Sequence, residues 1–303
     1  MKIIDAHTHI FETLKGFGGK GELRSIGNGE ARWANGDTLK MIPRELGDKD
    51  CLGERVREFL LEKGVERAVL LQGSFYGFQN EYVSEIAKKY PDFFLGAGTF
   101  DPFCKMADQI YERLSTELSF QVIKFETSSG GGFMSYHNDF HIYDTFVNIV
   151  EKMDKNGQTL VLDIGSPGMA SFQPEEVKKL ALAFPNLKIV LCHLLAPTLD
   201  DEKELERALR LLALDNVWMD LAAIPWNLYP ETYPYQTGIK YLQLAKKHIG
   251  VDKIIWGSDL PSPLTRESYE NLYSYIIEAG VFTEDELEKL FYKNCLSAYP
   301  FHN

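Results

Sequence analysis

KIIDAHTHI, residues 2–10, is the stretch whose reading decides the fold. It begins with a β-branched apolar pair, Ile3 and Ile4, and ends in alternating ionisable residues, Asp5, His7 and His9. Side chains of a strand alternate between its faces, so the spacing predicts one face carrying all three. A strand that begins apolar and finishes in imidazoles is a buried element whose C-terminal end opens on a polar mouth. The question is then whether the rest of the chain repeats that pattern.

It does. Similar apolar runs stand at 67–73 (RAVLLQG), 93–100 (FFLGAGTF), 120–127 (FQVIKFET), 159–165 (TLVLDIG), 187–193 (LKIVLCH), 216–222 (NVWMDLA) and 253–259 (KIIWGSD). Between them lie segments with apolar residues three and four apart: 53–64, 80–90, 106–118, 143–157, 174–184, 201–214 and 238–250. Several end at a glycine (Gly64, Gly157, Gly250), as helix C-termini do. Near-continuous apolar strands alternating with amphipathic helices read as parallel βα units, and eight of them predict an α/β fold of the (β/α)₈ TIM-barrel type. An open doubly wound sheet is disfavoured because no glycine-rich fingerprint follows the first strand. The chain is expected to be a single domain over 1–303, with a long glycine-containing connection at 11–50. Connections that long usually serve as lids or binding loops. In a barrel this one falls on the C-terminal face, so a lid is expected.

Composition agrees with a globular protein. The 303 residues are 45% hydrophobic and 25% charged, which excludes disordered and fibrous classes. The net charge of −12 speaks against nucleic acid or an anionic membrane surface as partner. No run approaches a membrane span, the N-terminal apolar stretch is too short for a signal peptide, and the four cysteines form no CxxC pair, so a cytoplasmic location is expected. Gly130-Gly131-Gly132 lacks the Lys-Ser/Thr of a phosphate loop and reads as a flexible hinge, and no GxSxG elbow exists.

The remaining strand ends supply the chemistry. The fourth carries Lys124 and Glu126 on one face with Ile123 and Phe125 on the other. The fifth carries Asp163, with Leu160, Leu162 and Ile164 facing the helices. The sixth ends in His193 and the eighth in Asp259. Each has a bland reading as a buried, hydrogen-bonded polar group or a helix cap. As a set converging on one mouth they would be costly to bury without a metal or mutual pairing. Cys192, one residue before His193, is expected to point away from the mouth toward the helices. Arg24, Arg32 and Arg44 in the long connection are candidates for clamping a substrate carboxylate, Arg32 being the one favoured. The aromatic residues Trp226, Tyr229, Tyr233 and Tyr235, and Phe133 with Tyr136, would wall a flat pocket or pack a loop.

These motifs, in this order, resemble the amidohydrolase superfamily. DAHTHIF, LKIVLCHLLAP, IIWGSDLP and the tail LFYKNCLSAYP resemble most its amidohydrolase-related branch, which includes small-acid decarboxylases, hydratases and lactonases. The resemblance implies that His7 and His9 are metal ligands, that Asp259 both binds metal and handles a proton, and that His193 acts beside the metal. It implies one divalent ion, zinc or manganese, and a small carboxylated or cyclic substrate attacked by activated water. Lys124, Glu126 and Arg32 are the residues expected to contact that substrate. The chain departs from the branch at the fifth strand, where Asp163 replaces a usual histidine; Asp163 is taken as an oxygen ligand, with His137 and His141 as alternative imidazoles. A carboxylated Lys124 bridging two ions is the binuclear alternative. A decarboxylase on the same site, a metal-free lactonase and a non-catalytic barrel are the competing functions. Relatives in this branch are often homodimers.

Overall fold

The computed structural model describes residues 1–301; the last two residues of the expected 1–303 unit lie outside the described residues. All eight expected strands are present: β1 (Ile3–Thr8), β6 (Val65–Leu70), β7 (Phe94–Gly96), β8 (Val122–Glu126), β9 (Thr159–Asp163), β10 (Lys188–Leu191), β11 (Val217–Asp220) and β12 (Ile254–Ile255). They pair in parallel as β1-β6-β7 and β8-β9-β10-β11-β12. Backbone hydrogen bonds bridge both seams. Gly98 N donates to Val122 O and Lys124 N to Gly98 O on one side; Ala6 N donates to Trp256 O and Asp259 N to His7 O on the other. The result is the (β/α)₈ barrel the strand runs predicted.

The layers follow from strand parity. Ile4, Ala6, Val69, Leu71, Leu95, Ala97, Val122, Val161, Val190, Trp218 and Ile255 fill the interior. The alternate residues, including Ile123, Phe125, Leu160, Leu162, Ile189 and Leu191, pack outward on the helices. Those helices are α1 (Gly53–Glu62), α2 (Asn80–Lys89), α3 (Ala107–Thr116), α4 (Ile142–Lys155), α5 (Pro174–Ala183), α6 (Glu202–Leu211) and α8 (Gln236–His248), with a four-residue turn α7 (Ile224–Asn227) before the last. After β12 come α9 (Asn271–Glu278), α10 (Glu284–Glu288) and α11 (Asn294–Ala298). Cys295, Ala298 and Tyr299 join the interior cluster, and Thr159 Oγ1 donates to Ala298 O at 2.9 Å. Thr159 begins β9, so this C-terminal segment plugs the end of the barrel opposite the mouth.

Residues 11–50 are not an irregular loop. They contain a four-stranded antiparallel sheet, β2 (Lys15–Gly18), β3 (Gly21–Gly27), β4 (Glu30–Trp33) and β5 (Thr38–Lys40). β2 continues onto the loop after β6, with Lys15 N donating to Tyr76 O and Phe17 N to Ser74 O. Gly16 is obligatory there: a Cβ on it would stand 2.1 Å from Phe75 O. The 130–132 glycines are likewise a packed turn rather than a hinge, since a Cβ on Gly132 would meet Glu126 O at 2.2 Å. No helix among the described residues is long and apolar enough to cross a membrane.

Candidate active site

The strand ends converge as expected, and His9, Lys124, Glu126, Asp163, His193 and Asp259 line one pocket of about 110 Å³. Gly73, Phe75, Tyr76, Trp226 and Ser262 complete its wall. His7 lies beneath them, fully buried.

β1 does not alternate cleanly at this end. Asp5 pairs with Ala68 but Thr8 with Leu70, so β1 holds one extra residue between them. Such a bulge re-aims side chains beside a site. It turns His7 into the mouth while Asp5 faces elsewhere, accepting from Ser258 N at 2.8 Å and from Tyr269 OH at 2.8 Å. The expected single face of Asp5, His7 and His9 is therefore corrected: Asp5 ties β1 to the segment after β12. Burial pushes its carboxyl up to about 7, against those hydrogen bonds. Gly257 permits the close approach of the two chains, since a Cβ there would lie 2.5 Å from the Cβ of His7.

Cys192 is corrected as well. Its side chain belongs to the interior cluster, not to the helix layer. Alternation stops at this point because His193, Leu194, Leu195 and Ala196 all have positive φ, from 47° to 67°. This left-handed turn is costly for residues with a Cβ. It re-aims His193 so that neighbouring residues Cys192 and His193 both reach the barrel axis. Asp259 is also left-handed, with φ 63°.

The hydrogen bonds fix the imidazole tautomers. His9 Nδ1 donates to Leu71 O at 3.0 Å, and His193 Nδ1 to Ala222 O at 3.2 Å. His7 Nδ1 donates to Asp220 Oδ2 at 2.6 Å. Each ring thus presents Nε2 to the mouth. His9 Nε2 and His7 Nε2 stand 3.0 and 3.3 Å from the same atom, Asp259 Oδ1. His7 Nε2 is buried without a hydrogen-bond partner among the described residues.

The charges in the mouth are in conflict. Burial lowers the imidazoles of both His7 and His9 and so holds them neutral, His7 well below its ordinary value. Burial also opposes ionisation of Asp259, but the imidazoles around it outweigh that and hold its carboxyl well below the usual range. With the rings neutral, their Nε2 lone pairs face an anionic oxygen with no positive charge between them. A divalent cation supplies that charge. The ligand atoms of His7, His9 and Asp259 lie within 4.8 Å of one another, and two imidazoles with one carboxylate suit zinc or manganese. Burial pushes Asp220 up to about 7, with positive charge at His193 pulling the other way, so added positive charge in the mouth would favour its ionised form. Asp220 is a buried carboxylate that fixes the orientation of the His7 ring, the kind of partner that metal-binding imidazoles use.

Across the pocket, His193 Nε2 lies 4.0 Å from Asp163 Oδ2. Burial would lower the His193 imidazole, but Asp259, Asp163 and Asp220 outweigh it and raise it. Asp163 accepts from Gly165 N at 2.8 Å and is not within the group of ligand atoms around Asp259. Lys124 is almost fully buried. Burial would lower its ammonium, but anionic neighbours including Glu126, Asp163 and Asp259 outweigh that and raise it. Burial raises the Glu126 carboxyl against the pull of Lys124. Gly73 leaves room for that carboxylate, as a Cβ there would lie 2.1 Å from Glu126 Oε2.

Other candidates fall outside the pocket. Arg32 is exposed on β4, because Ala31 takes the buried face and the next residue must take the other. Arg24 is exposed and pairs with Glu22; Arg44 lines a separate surface hollow. His137 pairs with Asp101 at 2.7 Å in a groove beside β2, and His141 is exposed at the start of α4. Phe133 and Tyr235 are core residues, while Trp226 does wall the pocket. Asp220, Phe75 and Tyr76 were not singled out by sequence. Asp220 carried the same signal as Asp163, an acidic residue ending an apolar strand. The two aromatics carried none, lying in a loop whose path depends on the inserted sheet. Arg266 was also missed: its guanidinium stacks 3.7 Å from the Trp226 ring and 4.7 Å from that of Tyr229, in a groove that adjoins the pocket.

An amidohydrolase family model matches residues 4–301, and the chain belongs to that family. Among solved structures it is similar to a probable 2-pyrone-4,6-dicarboxylic acid hydrolase from Acinetobacter baumannii with citric acid bound, at 16% identity and TM-score 0.70 over 99% of this chain and 100% of that one. An amidohydrolase from Burkholderia multivorans with bound zinc gives 16% identity and TM-score 0.72, with both chains covered completely at 100%. The 5-carboxyvanillate decarboxylase of Sphingomonas paucimobilis gives 17% identity and TM-score 0.54 over 82% of this chain and 83% of that one. No curated protein matches the chain in sequence.

Proposed function

We propose that the chain is a divalent-metal-dependent hydrolase of a small carboxylated compound, with one zinc or manganese ion held by His7, His9 and Asp259. The observation that carries this reading is Asp259 Oδ1, placed against the bare Nε2 atoms of two buried, neutral imidazoles. A bound divalent ion supplies Lewis acidity, lowering the pKa of water toward 7 and polarising a carbonyl.

The chain's own residues do the rest. Asp259, an anion in the apo site, accepts the proton of the attacking water. His193, whose imidazole is raised by three carboxylates, donates to the developing oxyanion or the leaving group. Asp163 supports that protonated state from across the pocket. Lys124 and Glu126 neutralise one another at the wall and contact the substrate. Phe75, Tyr76 and Trp226 exclude water around it, with the inserted sheet bracing the first two as a fixed wall of the lid.

Removal of metal by prolonged chelation is expected to abolish turnover in a screen of lactones, esters and carboxylated aromatics, and added zinc or manganese to restore it. Full turnover after exhaustive chelation, with no metal remaining by elemental analysis, would contradict the reading. Decarboxylation is the second reading, favoured by the raised Glu126 carboxyl, a proton donor for carbon at the same wall. Product analysis separates the two: hydrolysis incorporates solvent oxygen, whereas decarboxylation releases carbon dioxide without it.

Lys124 is neutralised within the pocket, so a second substrate carboxylate needs another cation. Arg266 stands beyond Trp226, stacked on its ring in a groove that Glu231 and Glu267 also line, and forms no ion pair among the described residues. Arg266→Gln is expected to raise KM for a dicarboxylate about tenfold with kcat little changed, since loss of one charge-assisted contact is worth roughly 1.5–3 kcal/mol. An unchanged KM would remove Arg266 from substrate binding.

A further inference from the structure

The mouth holds a second group of ligand atoms that the proposed reaction does not use. His7, Cys192 and His193 bring one donor each within 4.8 Å of one another. Ligands of a tetrahedral zinc centre stand about 3.3–3.8 Å apart, given bonds of ~2.0–2.3 Å, so this group needs only small side-chain movements to close on an ion. Three observations point to a ligand. The Cys192 thiol faces the barrel interior, two residues after the interior Val190, and the left-handed turn 193–196 brings His193 to the same side. The rings of His7 and His193 stack at 4.8 Å, and a nitrogen of each lies within 4.8 Å of the Cys192 sulfur. His7 Nε2 is fully buried with no hydrogen-bond partner among the described residues.

We propose that Cys192 is the sulfur ligand of an alternative seat for the metal, His7–Cys192–His193, which takes soft divalent ions. This rests on the metal-dependent reading above. The two seats share His7, whose Nδ1 is committed to Asp220, so one ion occupies one seat or the other. An ion at His7–His9–Asp259 leaves His193 free to move a proton. An ion at the sulfur seat ties up His193 and idles the enzyme; the Cys192 thiol proton is displaced to solvent as the metal–sulfur bond forms. Thiolate selects soft ions and carboxylate hard ones, so cadmium belongs to the sulfur seat and manganese to the Asp259 seat.

The test is cadmium titration of the metal-free protein, followed by its near-ultraviolet sulfur-to-cadmium charge-transfer absorption. The Cys104→Ser background removes the one exposed thiol. The absorption is expected to saturate at one equivalent, to vanish in Cys192→Ala, and to persist in Cys295→Ala, which removes another interior thiol. Should Cys192→Ala not fold, Cys192→Ser replaces it. Stoichiometric cadmium binding without this absorption, or absorption that survives loss of Cys192, would overturn the proposal while leaving the metal-dependent reading intact. Failure of cadmium, zinc and manganese alike to bind would overturn both.

Discussion

Asp259→Asn loses about 10³-fold or more in turnover and keeps its fold. The size of the loss follows from the two jobs assigned to one carboxylate, holding the ion and accepting a proton; general-base catalysis alone contributes about 10²–10⁴-fold. The retained fold follows from the backbone. Asp259 sits at φ 63°, in the left-handed region that asparagine tolerates as well as aspartate does. Its amide also removes a buried charge that stands near Asp163 and Asp220. Thermal unfolding is therefore expected to be unchanged or slightly raised, and a lowered midpoint together with lost turnover would mean that Asp259 is structural instead. The pairing of the two measurements is what gives the variant its meaning, because loss of activity alone would follow from any damage to the mouth.

Gly257→Ala is the largest expected effect on stability. The added Cβ would lie 2.5 Å from His7 Cβ and 2.6 Å from the His7 backbone nitrogen. Those are atoms of a fully buried strand, so no side-chain rotation relieves the contact. The segment after β12 must move away from β1, and the bond from Asp259 N to His7 O lies two residues along. Overpacking of this kind costs about 3 kcal/mol, at the upper end of what one inserted methyl group costs in a packed core. Denaturant unfolding is expected to show that loss, and metal affinity to fall with it because His7 and Asp259 separate. Wild-type stability in this variant would mean that the β1–β12 seam is looser than its hydrogen bonds indicate.

The barrel was legible in the sequence for a definite reason. Parallel strands covered on both faces must be apolar at nearly every position, so TLVLD and KIVL stand out without any periodicity test. The inserted sheet was not legible, for the converse reason. In β2 the buried positions are Gly16 and Gly18 and the exposed ones Lys15 and Phe17. Close backbone approach replaces side-chain packing there, and the usual apolar alternation is absent. Lys124, Glu126 and Asp163 face the pocket, as strand parity predicts, because β8 and β9 keep strict alternation to their last residue. Asp5 and Cys192 were misplaced because alternation fails where β1 bulges and where the chain turns left-handed after β10. Neither event has a glycine or proline to announce it. Arg32 lies outside the pocket because its strand face, not its place in the connection, decides where it points. Periodicity locates the strands, and it fails only where β1 bulges and where the chain turns left-handed after β10.

The most direct test of the account is the metal content of the protein, purified without chelator or metal-affinity tag, alongside that of His7→Ala. About one zinc or manganese per wild-type chain is expected, and almost none in the variant, since His7 belongs to both groups of ligand atoms. A wild-type chain free of metal that gains none on addition, or a His7→Ala chain that keeps its full complement, would contradict it.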